Sequence, residues 1–304
     1  MTHPAKTAAE DTREGVICAL LAYLIWGVLP VYFKVVGTVA PLEVLAHRVI
    51  WAVPFGAVII LARRQGPEVW RAMTDPRMLA LLTVSALMIA LNWLIYILAV
   101  QRGQIFQASL GYYINPLMYV VVGVAFLGER LRPFQMVAVV LATIGVTILT
   151  FIGKEIPWIA LSLAILFTGY GVIRKRVAIG GMSGLFVETL VLFPLAISWW
   201  LFLMAAGASA FSVDGPLLSF LLVLAGPITV LPLLFFVLAA RRLPLSLIGF
   251  LQFIAPTLQF VMGLLYGEVL TMAHALCFGL IWIAVAFFVV DAWRSGSRPA
   301  QAVR

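Results

Sequence analysis

Charge is what this chain lacks. Asp, Glu, Lys and Arg together make up 11% of its 304 residues, while 64% are hydrophobic. A soluble domain carries about a quarter of its residues as charges, so a water-soluble globular fold is excluded. Cysteine is nearly absent. Cys18 and Cys277 both lie inside apolar runs, which argues against a disulfide framework and for free, packed thiols. Histidine occurs three times, as His3, His47 and His274, too sparsely for a metal centre. No metal and no cofactor are expected. No GxSxG, HExxH or glycine-rich phosphate loop is present, so the chemistries those motifs serve lack their residues and an enzyme is disfavoured. Acids are the scarcer sign, 12 against 20 bases, for a net charge of +8. The bases sit in short connections between apolar runs. That placement points to a lipid bilayer as the partner, not to nucleic acid.

What is present is a series of ten apolar segments of spanning length: Gly15–Val36, Pro41–Ala62, Arg77–Val100, Gln104–Leu127, Pro133–Ile152, Ile156–Ile173, Ser183–Ala206, Leu217–Ala240, Pro244–Tyr266 and Thr271–Asp291. Gly37, Gly66-Pro67, Gly103, Gly128, Gly153, Gly180-Gly181, Asp214-Gly215-Pro216 and Gly267 punctuate them. Pro67–Met73 is expected as a short interfacial helix with Trp70 at headgroup level. The first apolar run lacks a cleavage site of small residues and is expected to be a retained helix. With both termini on the inner side, sixteen of the twenty basic residues fall on that side. Lys34, Arg102 and Lys154 fall outside, and Arg48 lies within a span. Such a bias predicts a chain with its N- and C-termini in the cytoplasm.

The two halves resemble each other. LIYILAVQRG at Leu94–Gly103 matches LFFVLAARRL at Leu234–Leu243, an offset of 140. At that offset Pro54 falls on Pro194, Lys34 on Arg174 and Arg48 on Glu188. Gly128-Glu129 recurs as Gly267-Glu268. The implied organisation is a tail (1–14), a first five-helix repeat (15–152), a second (153–293) and a tail (294–304). A unit with an odd number of spans must be inverted when repeated. Inverted repeats are a recurrent construction of secondary transporters, with the substrate site between the halves.

Several residues match a known group: AYLIWG at Ala22–Gly27, EVLAHRVIW at Glu43–Trp51, and NPLM…GER over Asn115–Arg130. With the ten spans, they resemble the RarD-type branch of the EamA transporters, in the drug/metabolite transporter superfamily. The resemblance runs from about Gly15 to Trp293. It implies an all-α integral membrane protein of the bacterial inner membrane and an exporter of small metabolites. RarD-type proteins carry the label "chloramphenicol-sensitive". In related carriers the cavity is lined by spans 1, 3, 4, 6, 8 and 9.

Charges at membrane depth are costly, so Glu43, His47 and Arg48 in the second span and Glu188 in the seventh need an explanation. They are either a structural charge cluster or the proton-coupling groups. In the second case Glu43 and Glu188 titrate and His47 acts as relay. Glu188 is expected to pair with a cation across the repeat interface. The oriented polar groups that a small-molecule substrate needs are sought in Asn92 and Tyr96 (i,i+4 on one face), in Gln107, Tyr112 and Asn115, and in Gln252. Trp26 and Tyr170 would add aromatic walls. Pro116 is expected to free the carbonyl near Tyr112 and form a binding corner with Asn115. Glu129 and Glu268 are expected to shape turns in water, and His274 to pack. The small faces Ala138/Ala142/Gly145 and Ala275/Gly279/Ala284 suit either packing of the repeats or a homodimer.

Overall fold

The computed structural model describes residues 8–127, 132–154, 156–211, 213 and 215–296, all helix and connection with no strand among them. The helices are α1 (Ala8–Val35), α2 (Pro41–Ala62), α3 (Gly66–Thr74), α4 (Pro76–Gln101), α5 (Ile105–Leu127), α6 (Pro133–Phe151), α7 (Trp158–Arg176), α8 (Gly181–Ala205), α9 (Pro216–Ala240), α10 (Leu245–Leu251), α11 (Ile254–Leu265) and α12 (Met272–Gly296). Among the described residues ten spans are long and apolar enough to cross a membrane, with α10 and α11 together making the ninth. The short α3 forms where a helix over Pro67–Met73 is expected, and Trp70 stands 72% exposed on it. Gly128, Glu129, Arg130 and Asp214, with His3, Lys6, Arg298 and Arg304 in the tails, lie outside the described residues.

The exposed side chains are largely apolar, Leu61, Phe151, Leu195 and Leu265 among them. This is the surface of a protein solvated by lipid. Lipid tails are as apolar as leucine, so close packing and polar ties, not hydrophobic exclusion, must hold the spans together. The set of main packings is unchanged when each first-half span is exchanged for its second-half counterpart. α1 packs on α9 as α7 packs on α4; α1 packs on α11 as α7 packs on α5; α2 packs on α8, and α6 on α12.

Polar ties at the helix ends set the directions. Glu43, at the start of α2, accepts from Ser209 and the Ala210 N–H just beyond the end of α8. Glu68, just beyond the end of α2, accepts from the Gly180 N–H and the Ser183 hydroxyl at the start of α8. The two helices are therefore antiparallel. Arg132 before α6 meets Asp291 late in α12 at 3.1 Å, and Glu14 early in α1 meets Arg242 beyond α9 at 3.7 Å. These pairs are antiparallel too.

One expected span is broken. The run Pro244–Tyr266 divides at Gln252 and Phe253. Pro256 cannot donate to the Gln252 carbonyl, and its ring crowds that oxygen. Pro116 holds the matching place in the first half, where α5 runs through it uninterrupted although its missing N–H still deprives the Tyr112 carbonyl of its helical donor.

The small face of α6 packs inside the protein. Ala138 and Ala142 are buried with Cys277, Ile281 and Ala284 of α12. On α12 Ala284 alone of the three small residues packs inside. Ala275 is exposed and Gly279 half-buried, and Ala273 and Cys277 take the interface instead. A Cβ at Gly145 would sit 3.1 Å from the Cys277 carbonyl oxygen. Gly145→Leu is therefore expected to cost about 1–3 kcal/mol by overpacking. It should lower the thermal unfolding midpoint of the purified protein, while Val140→Leu on the exposed face of α6 should leave it in place.

Candidate functional site

The charged residues of the second span do not form one cluster. α2 turns by about 100° per residue, so neighbours such as His47 and Arg48 look in different directions. Glu43 and His47 face the connection beyond α8. His47 accepts from the Trp51 indole N–H at its Nδ1 (3.2 Å), which leaves its proton on Nε2, 4.0 Å from Glu43. Its ring stacks on Phe211 at 5.1 Å and meets Trp200 edge-on at 5.5 Å. The Glu43 carboxylate is 2.8 Å from the Ser209 hydroxyl and 2.9 Å from the Ala210 N–H. This end of α2 is a packed anchor for the loop before α9.

Arg48 turns toward α1, α4 and α9. It is 5% exposed, and its Nε donates to the Thr229 hydroxyl at 3.0 Å. The guanidinium lies over the Trp93 ring at 4.4 Å and over Phe33 at 5.4 Å. Tyr32, Tyr96 and Tyr112 are near enough to interact with its charge. Asn92 spans this wall. It donates to the Leu163 carbonyl at 3.0 Å and accepts from the Tyr112 hydroxyl at 3.3 Å. The Tyr96 hydroxyl is buried without a hydrogen-bond partner among the described residues, and so is the Asn115 side-chain oxygen.

Glu188 forms a separate centre between α4, α7 and α8. Its carboxylate accepts from the Ser85 hydroxyl at 2.6 Å and from the Tyr170 hydroxyl at 3.4 Å. Arg174 Nε is 3.6 Å away. The expected partner in the other half is thus replaced by Arg174, from the neighbouring helix of the same half. A chain of rings joins this centre to the Arg48 wall: Tyr112 meets Phe167 at 6.0 Å, and Phe167 meets Tyr170 at 6.1 Å.

Asn92, Tyr96 and Tyr112 come together around Arg48, and Asn115 lies one turn beyond Tyr112. Tyr170 joins Glu188 instead. Trp26 packs on Tyr23 and Phe236, and its backbone carbonyl accepts from Gln259. Gln107 accepts from the Ile159 N–H at the start of α7, and Gln252 is half-buried at the α10–α11 break. Trp26 also packs against the cluster that holds Phe33, Tyr96 and Trp93, while Gln107 and Gln252 are not shown joined to the Arg48 wall. Glu268 is more than a turn residue. It accepts from the N–H groups of Ile105 and Phe106 and so caps α5. Sequence reasoning did not pick out Tyr32, Phe33, Ser85 and Thr229. Thr229 carries a signal, as a lone hydroxyl deep in a 25-residue apolar helix. Arg174 carries another, since it matches Lys34 across the repeat.

The architecture defines a class: a multi-pass helical membrane protein with buried charges at the interface of its two halves. The comparisons narrow it. Residues 13–151 match the EamA-like transporter family. The protein RarD of Salmonella typhi is 44% identical over 286 residues, 93% of this chain and 97% of that one. An uncharacterized transporter of Vibrio cholerae is 42% identical over 294 residues, 96% of this chain and 97% of that one. A solved crystal structure at 21% identity aligns with a TM-score of 0.62 over 92% of this chain and 98% of that chain, a likeness of fold. The chain belongs to the EamA-like transporter family, and within it to the company of the RarD proteins.

Removing the Glu43 carboxylate strands a buried hydroxyl and a buried N–H, each costing about 1–3 kcal/mol when unpaired. Glu43→Ala is expected to lower the thermal midpoint clearly. Glu43→Gln keeps an acceptor and should lower it less.

Proposed function

We propose that the protein is a secondary active transporter that moves small metabolites across the bacterial inner membrane by alternating access, in the direction of export. The observation that carries this reading is the antiparallel packing of α2 on α8, with a buried charge from each held between the halves. An inverted pair of five-helix repeats accounts for that packing, and such symmetry serves exchange between two mirror-related states. The positive-inside bias supports an orientation with both termini in the cytoplasm. A binding site takes the place of a catalytic one, and the substrates suited to it are amino acids, aromatic compounds or drugs such as chloramphenicol.

Ties close both faces. Glu43 and Glu268 act at the outer face, and Glu68 and the Arg71–Ala178 hydrogen bond act at the inner face. Opening one side means releasing its ties while the other side keeps its own. Glu188 is the coupling group of this scheme. Protonation removes the charge that holds Arg174 and lets α8 part from α4 and α7. Glu43 keeps the structural role that its backbone and hydroxyl partners give it. The salt bridge to Arg174 also favours a second reading, in which Glu188 is purely structural and the carrier is a uniporter or exchanger.

Uptake into proteoliposomes, with and without an imposed pH gradient, separates the two. The first reading expects saturable uptake that grows with the gradient. It expects Glu188→Gln to abolish accumulation while exchange persists. Saturable uptake indifferent to pH in the wild type selects the uniporter or exchanger. Asn115→Ala is expected to raise the half-saturating concentration several-fold at unchanged expression; an unaltered value would remove Asn115 from the binding wall.

A further inference from the structure

Arg48 is a buried cation without an acidic counter-ion. The acids among the described side chains are occupied elsewhere: Glu43 by Ser209 and Ala210, Glu188 by Arg174, Ser85 and Tyr170, and Glu68 and Glu268 by helix ends. Asp75 caps α4, and Asp291 and Glu14 pair with Arg132 and Arg242. No carboxylate lies within 4.0 Å of Arg48 among the described residues. The repeat makes the imbalance plain. Where the second half sets Glu188 beside Arg174, the first half has Arg48 in the place of the acid and Lys34 in the place of the base.

Such a cation is expensive inside a membrane, because its desolvation is repaid only by an anion. The aromatic rings of Trp93 and Phe33 offset part of that cost. Thr229 uses only Nε. The two Nη groups have no acceptor among the described residues, and neither is wholly enclosed. Those groups form the planar fork that matches a carboxylate. The unpartnered Tyr96 hydroxyl is a further donor on the same wall, and the half-buried Trp93 offers ring surface to an apolar body.

From this geometry we infer that Arg48 is the anchor for a substrate carboxylate, and that the carrier takes small organic monoanions with an apolar or aromatic body. The inference rests on the transport reading and narrows its substrates to anionic aromatic compounds, at the expense of zwitterionic amino acids and of neutral drugs such as chloramphenicol. A zwitterion fits less well, because among the described residues no free acid stands ready for an ammonium group and the Arg48 guanidinium opposes it. A neutral body accepts hydrogen bonds from the Nη groups but leaves the buried positive charge without an anion.

The test uses the full-length protein and three probes of one shape: 3-phenylpropanoate, its neutral amide 3-phenylpropanamide, and the zwitterion phenylalanine. Ligand-induced thermal stabilisation in detergent gives binding, and labelled uptake in proteoliposomes gives transport. The expected result in the wild type is binding of 3-phenylpropanoate at least tenfold tighter than of either other probe. Arg48→Lys should keep part of that preference, and Arg48→Gln should level it. The wild-type comparison stands even if a variant folds poorly. Amide binding as tight as that of the acid, or no binding of the acid, overturns the inference. Saturable uptake of the amide at the rate of the acid also overturns it, while leaving the carrier reading intact. Charge-dependent binding with no saturable uptake of any probe upholds the anion site and overturns the carrier reading instead.

Discussion

The antiparallel seam between α2 and α8 is the constraint on which the rest of the structure depends. A carboxylate pins it at each end, Glu43 to the loop beyond α8 and Glu68 to the first turn of α8. In lipid, apolar burial gives little drive for two helices to meet, so directional contacts decide which pair and in which sense. With this seam set, α9 and α4 fall on either side of it. Arg48 is then turned toward α9 and Glu188 toward α4. Charges that would be intolerable toward lipid become tolerable because helices surround them.

The seam also separates two electrostatic environments. Arg48 sits seven residues, about 10 Å, into α2, and Glu188 sits equally far into α8, which runs the other way. Near Glu188 the charge is balanced by Arg174 and two hydroxyls. Near Arg48 it is balanced by rings and one hydroxyl. A protein built from similar halves has thus kept the packing alike and made the charges unlike.

Much of the architecture was legible in the chain itself. Spans are set by length and composition, because a run of about twenty apolar residues has few alternatives to a membrane helix. The short helix around Trp70 followed from its proline start and polar flanks. The break at Gln252 was not legible from Pro256 alone, since Pro116 in the equivalent place leaves α5 whole. Whether a helix absorbs a missing donor depends on the neighbours that re-satisfy the freed carbonyl.

The sequence by itself determined the number of spans, the placement of the bases along the chain and the presence of ionisable groups at membrane depth. These are one-dimensional properties, fixed by the cost of moving side chains into hydrocarbon. Tertiary structure alone decided the partners. Glu43, His47 and Arg48 are neighbours in the chain, yet the helical turn keeps Glu43 and His47 together against the loop beyond α8 and sends Arg48 to other helices. Glu188 found Arg174 and not Arg48, because α7 brings a guanidinium within reach and α2 does not. Thr229, Trp93 and Phe33 meet around Arg48 from three helices remote in sequence, and no periodicity within one helix encodes that meeting.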